Sequence, residues 1–278
     1  MNNNILINIL TRSSNRPVGF QKCYKSVKNQ TYKNVRHIVS YDDDKDLAYL
    51  KDLDIDLVFV HKDKNGFNTD EVDSDGNLKA PYNLYCNKLL DTVDEGWILF
   101  LDDDDNLYHS KVLEEIVSLI KKEDEDTLFI WQMRYPNGKT LPSNQLIKNR
   151  KIVKYNIGSP CFLFHSKHKN KARWDEYKVS DFRFLNTLSK QIPKKIFLLK
   201  IIAQINNYGD LGSRNDVLTK SNKKLLPFFN KNLFWYFIPK KHFELFGIPI
   251  FQKKTYVGFQ KKALKIPKKI LNLILSKK

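Results

Sequence analysis

The run Gly96-Trp97-Ile98-Leu99-Phe100-Leu101-Asp102-Asp103-Asp104-Asp105 (GWILFLDDDD, residues 96–105) decides how the rest of the chain is read. Five apolar residues in succession predict a short strand buried in the protein, and the glycine before them marks the end of the preceding helix. Four carboxylates gathered at the rigid end of such a strand repel one another. A cation must offset that repulsion. Mg²⁺ or Mn²⁺ takes one or two protein carboxylates and completes its shell with water and substrate phosphates, so a short D-x-D is sufficient. Asp102 and Asp104 are the expected metal ligands. The competing reading is a solvated turn or a helix N-cap, positions that aspartate also favours.

Outward from this run, strands and helices alternate. On the N-terminal side ILINIL (Ile5 to Leu10), RHIVSY (Arg36 to Tyr41) and LVFVH (Leu57 to His61) read as strands. Helical stretches fall at about Val18 to Asn29 and Pro81 to Val93. On the C-terminal side Ser110 to Lys122 carries apolar residues at helical spacing, TLFIWQM (from Thr127) reads as a strand, and Asn137-Gly138 marks a turn. Alternation of this kind predicts an α/β fold with a mostly parallel sheet flanked by helices, and loops at the carboxyl ends of the strands are where ligands usually sit.

The composition divides the chain. Residues 1–130 hold 16 Lys/Arg against 25 Asp/Glu, whereas residues 131–278 hold 32 against 6, within a net charge of +17 over 278 residues. With 41% hydrophobic residues the chain can bury a core and fold alone. The expected organisation is a catalytic domain over residues 1–221 and a basic, aromatic and amphipathic extension over residues 222–278. Cys23, Cys86 and Cys161 are odd in number and lack C-x-x-C spacing, which points to a reduced chain and no zinc site. With neither a signal-peptide pattern nor ~20 consecutive apolar residues, the expected location is cytoplasmic, or peripheral on a membrane.

Three segments in order resemble family 2-type glycosyltransferases: ILTRSSNRP (from Ile9), SVKNQTYKNVRHIVSYDD (from Ser26) and GWILFLDDDD (from Gly96). The resemblance covers about residues 5–190 and implies a GT-A (Rossmann-like) fold. It implies transfer of a single sugar from a nucleotide-diphosphate sugar to an acceptor hydroxyl, supported by Mn²⁺ or Mg²⁺ and inverting by single displacement. A UDP-sugar is the implied donor; a glycan, lipid-linked molecule or protein is the implied acceptor.

Carried residue by residue, the resemblance places Thr11, Arg12 and one of Asp42 or Asp43 at the nucleoside. Asn83 and Asn87 of the helix before the metal strand face the nucleotide, as does Asp103 of the acidic run. The D-D-G-S run of the family is absent here, replaced by Tyr41-Asp42-Asp43-Asp44. Asp181, at the start of an acceptor-side helix, is the expected base, with Asp175 and Glu176 as second choices. Gly158, Ser159 and Pro160 are expected to line the acceptor pocket. His165, a single histidine after an apolar strand, is expected to be structural rather than a third metal ligand.

Two rivals stand beside this reading. A metal-dependent nucleotidyltransferase would also gather carboxylates on a strand edge, but usually with a glycine-rich phosphate loop, and neither G-x-x-x-x-G-K-[ST] nor G-x-G-x-x-G occurs. A basic membrane- or nucleic-acid-binding module explains the C-terminal lysines but not the acidic run. No specific nucleic acid is expected; the tail is expected to contact an anionic membrane or the acceptor. Replacing Lys268, Lys269, Lys277 and Lys278 by Gln should abolish binding to phosphatidylserine vesicles in a sedimentation assay if the tail docks on membranes. Unchanged sedimentation would tell against docking.

Overall fold

A computed structural model describes residues 5–61 and 71–206, with the backbone of two further strands, His242–Leu245 and Ile248–Gln252. The sheet is organised about β1 (Ile7–Arg12), whose residues are almost all buried because both of its faces are covered. After β1 comes α1 (Pro17–Lys28). It starts on a proline, which has no N–H to leave unpaired, and ends with Lys25 and Lys28 in its last turn, where cations suit the helix dipole. Its buried residues Gly19, Phe20, Cys23 and Val27 form the stripe that packs inward.

Beyond α1 lie β2 (Val35–Tyr41), α2 (Leu47–Leu50), β3 (Asp56–Phe59), α3 (Tyr85–Asp91) and β4 (Trp97–Phe100). Strands β3, β2, β1 and β4 run parallel in that spatial order, so chain order reverses at β1. This reversal makes a topological switch point. The second half contains β5 (Asp105–Leu107), α4 (Val112–Ile120), β6 (Thr127–Arg134), β7 (Thr140–Leu141), α5 (Asn144–Lys148), β8 (Phe162–His165), α6 (Ser180–Gln191) and β9 (Lys194–Ile205). The full order is β3-β2-β1-β4-β8-β6-β9-β5, with β7 on β6. Strand β8 is antiparallel to both neighbours, and β5 is antiparallel to β9. The expected mixed, mostly parallel α/β sheet is observed.

Several elements differ from expectation. The segment predicted as one helix from Pro81 to Val93 is a 3₁₀ turn (Pro81–Leu84) followed by the shorter α3. Strand β9 is a twelve-residue element that the sequence did not announce. In the C-terminal extension β10 (His242–Leu245) and β11 (Ile248–Gln252) form an antiparallel pair. The remainder of that extension, including the terminal lysines, lies outside the described residues. Among the described residues no helix is long and apolar enough to cross a membrane.

One core links the two halves. Ile98, Leu99 and Phe100 of β4 are essentially inaccessible, each contributing about 1.5–3 kcal/mol by burial. Phe100 meets Trp174 edge-on at 5.0 Å and Phe184 of α6 at 5.8 Å, and Trp174 stacks on Phe184 at 5.2 Å. Helix α6 is thereby fixed against the end of β4. At the other end of β4, Gly96 has φ +83°, and a Cβ there would lie 2.6 Å from the Leu6 carbonyl oxygen. Gly96→Ala combines that clash with a left-handed backbone and should destabilise the protein by about 2–3 kcal/mol. Urea denaturation of the two proteins measures it.

Candidate functional site

The carboxyl ends of β1, β2 and β4 deliver Arg12, Asp42 and Asp102 to one edge of the sheet. Because Leu10 is in register with Phe100, Arg12 arrives level with Asp102, and its Nε donates to Asp102 Oδ1 at 3.1 Å. Ser159 Oγ donates to the other oxygen of Asp102 at 2.6 Å. Arg16, at the start of α1, sits 2.6 Å from Asp104 and 3.8 Å from Asp103. The expected acidic cluster is therefore assembled, and two guanidinium groups partly neutralise it. Arg16 was not foreseen in this role.

Burial, the charge of Asp104 and the opposing charge of Arg16 act together on Asp103, with a net push well above the usual carboxylate range. Asp104 and Asp105 are likewise raised, chiefly by burial. Asp105 Oδ1 is buried without a hydrogen-bond partner. Four carboxylates against two guanidiniums, with one orphaned acceptor, form a hard, oxygen-rich and electron-rich site that suits Mg²⁺ or Mn²⁺. Among the described residues no three His, Cys, Asp or Glu side chains enclose a metal ion. A cation shared with a diphosphate needs only one or two of them.

The other expected residues are placed as follows. Asp42 is buried, accepting from Ser14 Oγ and Tyr85 OH at 2.9 Å each, whereas its neighbour Asp43 is exposed and caps the next 3₁₀ turn through the Lys45 N–H. Thr11 faces inward, its hydroxyl 3.0 Å from His37 Nε2, and burial lowers the His37 pKa to about 4, leaving that ring neutral. Asn83 and Asn87 are not the free surface amides of an amphipathic helix. Asn83 accepts from Arg12 Nη1 and donates to the Tyr177 carbonyl at 2.8 Å. Asn87 exchanges two 2.9 Å hydrogen bonds with the Trp174 backbone.

Asp181 lies in the first turn of α6. Burial pushes its carboxyl up to about 7, and the charge of Asp102 adds to this against the Phe182 N–H, which donates at 2.7 Å. Its turn is strained, because Val179 is a β-branched residue at φ +67°. Asp175 has a different environment. Burial would raise it, but the Arg183 fork at 2.5 Å to each oxygen holds it below its ordinary value. Glu176 is 3.7 Å from Lys79. His165 is paired with Trp97 across the sheet, at the end of β4 remote from Asp102, and faces Glu125 at 3.5 Å.

Removing Arg16 leaves buried carboxylates unopposed. Arg16→Met should destabilise the protein by about 3 kcal/mol near pH 8. Since Arg16 lowers the pKa values of both Asp103 and Asp104, its loss lets them protonate more readily, and the penalty should shrink toward pH 5. Thermal melts across this range read the trend.

No protein-family model and no curated protein sequence matches the chain. Solved structures do. S. aureus TarS residues 1–349 in complex with UDP-GlcNAc superposes with a TM-score of 0.56 at 15% identity, over 74% of this chain and 60% of that one. A longer TarS gives 0.56 at 13% identity, and this chain spans only 38% of its length. The mannosyltransferase PcManGT from Pyrobaculum calidifontis, in complex with GDP-Man and Mn²⁺, gives 0.50 at 9% identity, over 72% of this chain and 56% of that one. The chain has the GT-A fold of these nucleotide-sugar-binding proteins.

Proposed function

We propose that this chain is a metal-assisted glycosyltransferase that moves one sugar from a nucleoside diphosphate to an acceptor hydroxyl. The observation that carries the reading is the proximity of two carboxyl sites, one at the carboxyl end of β4 and one in the first turn of α6, which packs against that strand end. One is the acidic cluster at Asp102 to Asp105; the other is Asp181, raised to about 7 partly by the charge of Asp102. A buried carboxyl that titrates near neutrality is suited to proton transfer, and a cluster of aspartates to a divalent cation. The solved structures of the same fold contain UDP-GlcNAc, or GDP-Man with Mn²⁺.

In this reading Asp102 and Asp104 hold the cation, which when bound supplies positive charge to the leaving diphosphate. Asp42, oriented by Ser14 and Tyr85, receives the nucleoside in preference to Asp43, whose oxygen already caps a turn. Arg12 adds a guanidinium beside the diphosphate, and Thr11 contributes through its backbone. Gly158, Ser159 and Pro160 line the acceptor side. Asp181 takes the proton of the acceptor hydroxyl as that oxygen bonds to the anomeric carbon and the bond from carbon to diphosphate oxygen breaks, which inverts the configuration. A UDP-sugar is the favoured donor, the acceptor being a glycan, lipid-linked molecule or protein.

A diphosphate-release assay across a panel of nucleotide sugars, with Mn²⁺ or EDTA, tests the proposal. Asp102→Asn/Asp104→Asn should abolish metal-dependent turnover, and Asp181→Asn should lower kcat by about 10²- to 10⁴-fold. A base must be deprotonated, so kcat should rise with pH through about 7 and level off above it. Turnover that is unaffected by either substitution would overturn the assignment.

A further inference from the structure

A path of hydrogen bonds runs from Asp102 to Arg183, two residues along the chain from Asp181, and one neutral side chain stands at its middle. Asn83, only 5% exposed, accepts from Arg12 Nη1 through Oδ1 and donates through Nδ2 to the Tyr177 carbonyl at 2.8 Å. On one side Arg12 Nε reaches Asp102, and the Arg12 guanidinium lies 5.0 Å above the Tyr82 ring. On the other side the Tyr177 carbonyl also accepts from Arg183 at 3.1 Å, and Arg183 grips Asp175 and the Lys178 carbonyl. Arg183 and Asp181 share the first turn of α6. Between these two residues the Phe182 N–H donates to the Asp181 carboxylate.

Segment 175–178 has a second attachment. Residues 78–80 lie antiparallel to it, through Ala80 N to Glu176 O at 2.6 Å, Lys178 N to Leu78 O at 2.9 Å and the Lys79–Tyr177 bridge. The turn that carries Asp181 is therefore built on the same short stretch of chain that presents Asn83 to Arg12. Val179, held at φ +67°, closes that turn in a conformation a β-branched residue adopts only when its surroundings impose it.

We propose that Asn83 is a positioning residue that couples the Arg12–Asp102 pair to the turn carrying Asp181. The proposed link is drawn from the hydrogen bonds and needs no assumed activity; its role in timing the base rests on the glycosyl-transfer reading above. A carboxamide suits this place because it accepts at one end and donates at the other. An aspartate of the same shape would keep the bond from Arg12 but would oppose the Tyr177 carbonyl with a second acceptor. Any change that draws Arg12 toward or away from Asp102 is passed by Asn83 to Tyr177, and from Tyr177 to α6.

Contiguity alone does not demonstrate coupling, so the test is a double-mutant cycle. Amide hydrogen exchange of residues 175–183 is followed in the full chain for wild type, Arg12→Met, Asn83→Asp and the double variant. Each single substitution should accelerate exchange at Tyr177 and Phe182 about fivefold, and the double should be no faster than either single. Multiplying effects in the double, or unchanged exchange in Arg12→Met, would overturn the proposal. If Arg12→Met does not fold, Arg12→Lys serves, since one ammonium lacks the planar fork that spans Asp102 and Asn83.

This arm needs no nucleotide, so it stands or falls separately from the proposed activity. In the second arm UDP with Mg²⁺ is the probe. At saturating nucleotide sugar, Asn83→Asp should move the midpoint of the kcat–pH profile and lower kcat about tenfold, whatever its effect on UDP affinity. A variant with an unshifted midpoint and undiminished kcat would refute the positioning role. Wild-type protein that binds no nucleotide would instead count against glycosyl transfer and leave the exchange result intact.

Discussion

The rest of the site depends on a buried charge balance. Arg16 is almost wholly removed from solvent and faces Asp103 and Asp104, while Arg12 faces Asp102. A buried ion pair of this kind adds little net stability, because desolvation consumes most of the attraction, but removing one partner is severe. The two arginines therefore act chiefly to make the aspartate cluster tolerable. That cluster stays poised, since burial keeps three of its carboxyls above their ordinary range.

Such a site needs a rigid support, and the aromatic packing behind it supplies one. Phe100 lies two residues before Asp102, and Phe184 lies three residues after Asp181. The contact of both rings with Trp174 fixes the strand end against the helix start. Apolar packing thus sets the relation between the two polar sites. Beside this packing, the buried Asn83 links Arg12 to the Tyr177 carbonyl. Strain at Val179 marks the place where the backbone has yielded to these two demands together.

The parallel half of the sheet was legible because its strands are short apolar runs separated by turn residues, and the acidic cluster was legible because four like charges follow one of them. Strand β9 was not, since KKIFLLKIIAQI (Lys194–Ile205) lacks alternation and is only partly buried over much of its length. Strand β5 exists only through pairing with β9, a partner about a hundred residues away. That Asp42 is buried and Asp43 exposed was not legible, because it depends on which way successive residues point as β2 ends, and neighbours at a strand end face opposite ways. Arg16 escaped notice, and Asn83 was read as facing the nucleotide rather than as a partner of Arg12, because these contacts span about 70 to 90 residues in sequence, and single-chain spacing carries no signal for them.

The order of charges along the chain has a consequence for how the protein is made. Arg12 and Arg16 precede Asp102 to Asp105, so as a ribosome delivers the chain the countercharges emerge before the acids they oppose. Residues 7–105, from β1 to the first residue of β5, contain every residue of that neutralised cluster apart from the Ser159 contact. The nascent N-terminal half thus carries its own charge compensation while β8, α6 and β9 are still to come, and domains fold preferentially from the N-terminus during synthesis. The segment bearing Asp181 arrives later and docks onto an acidic edge that has already been quenched.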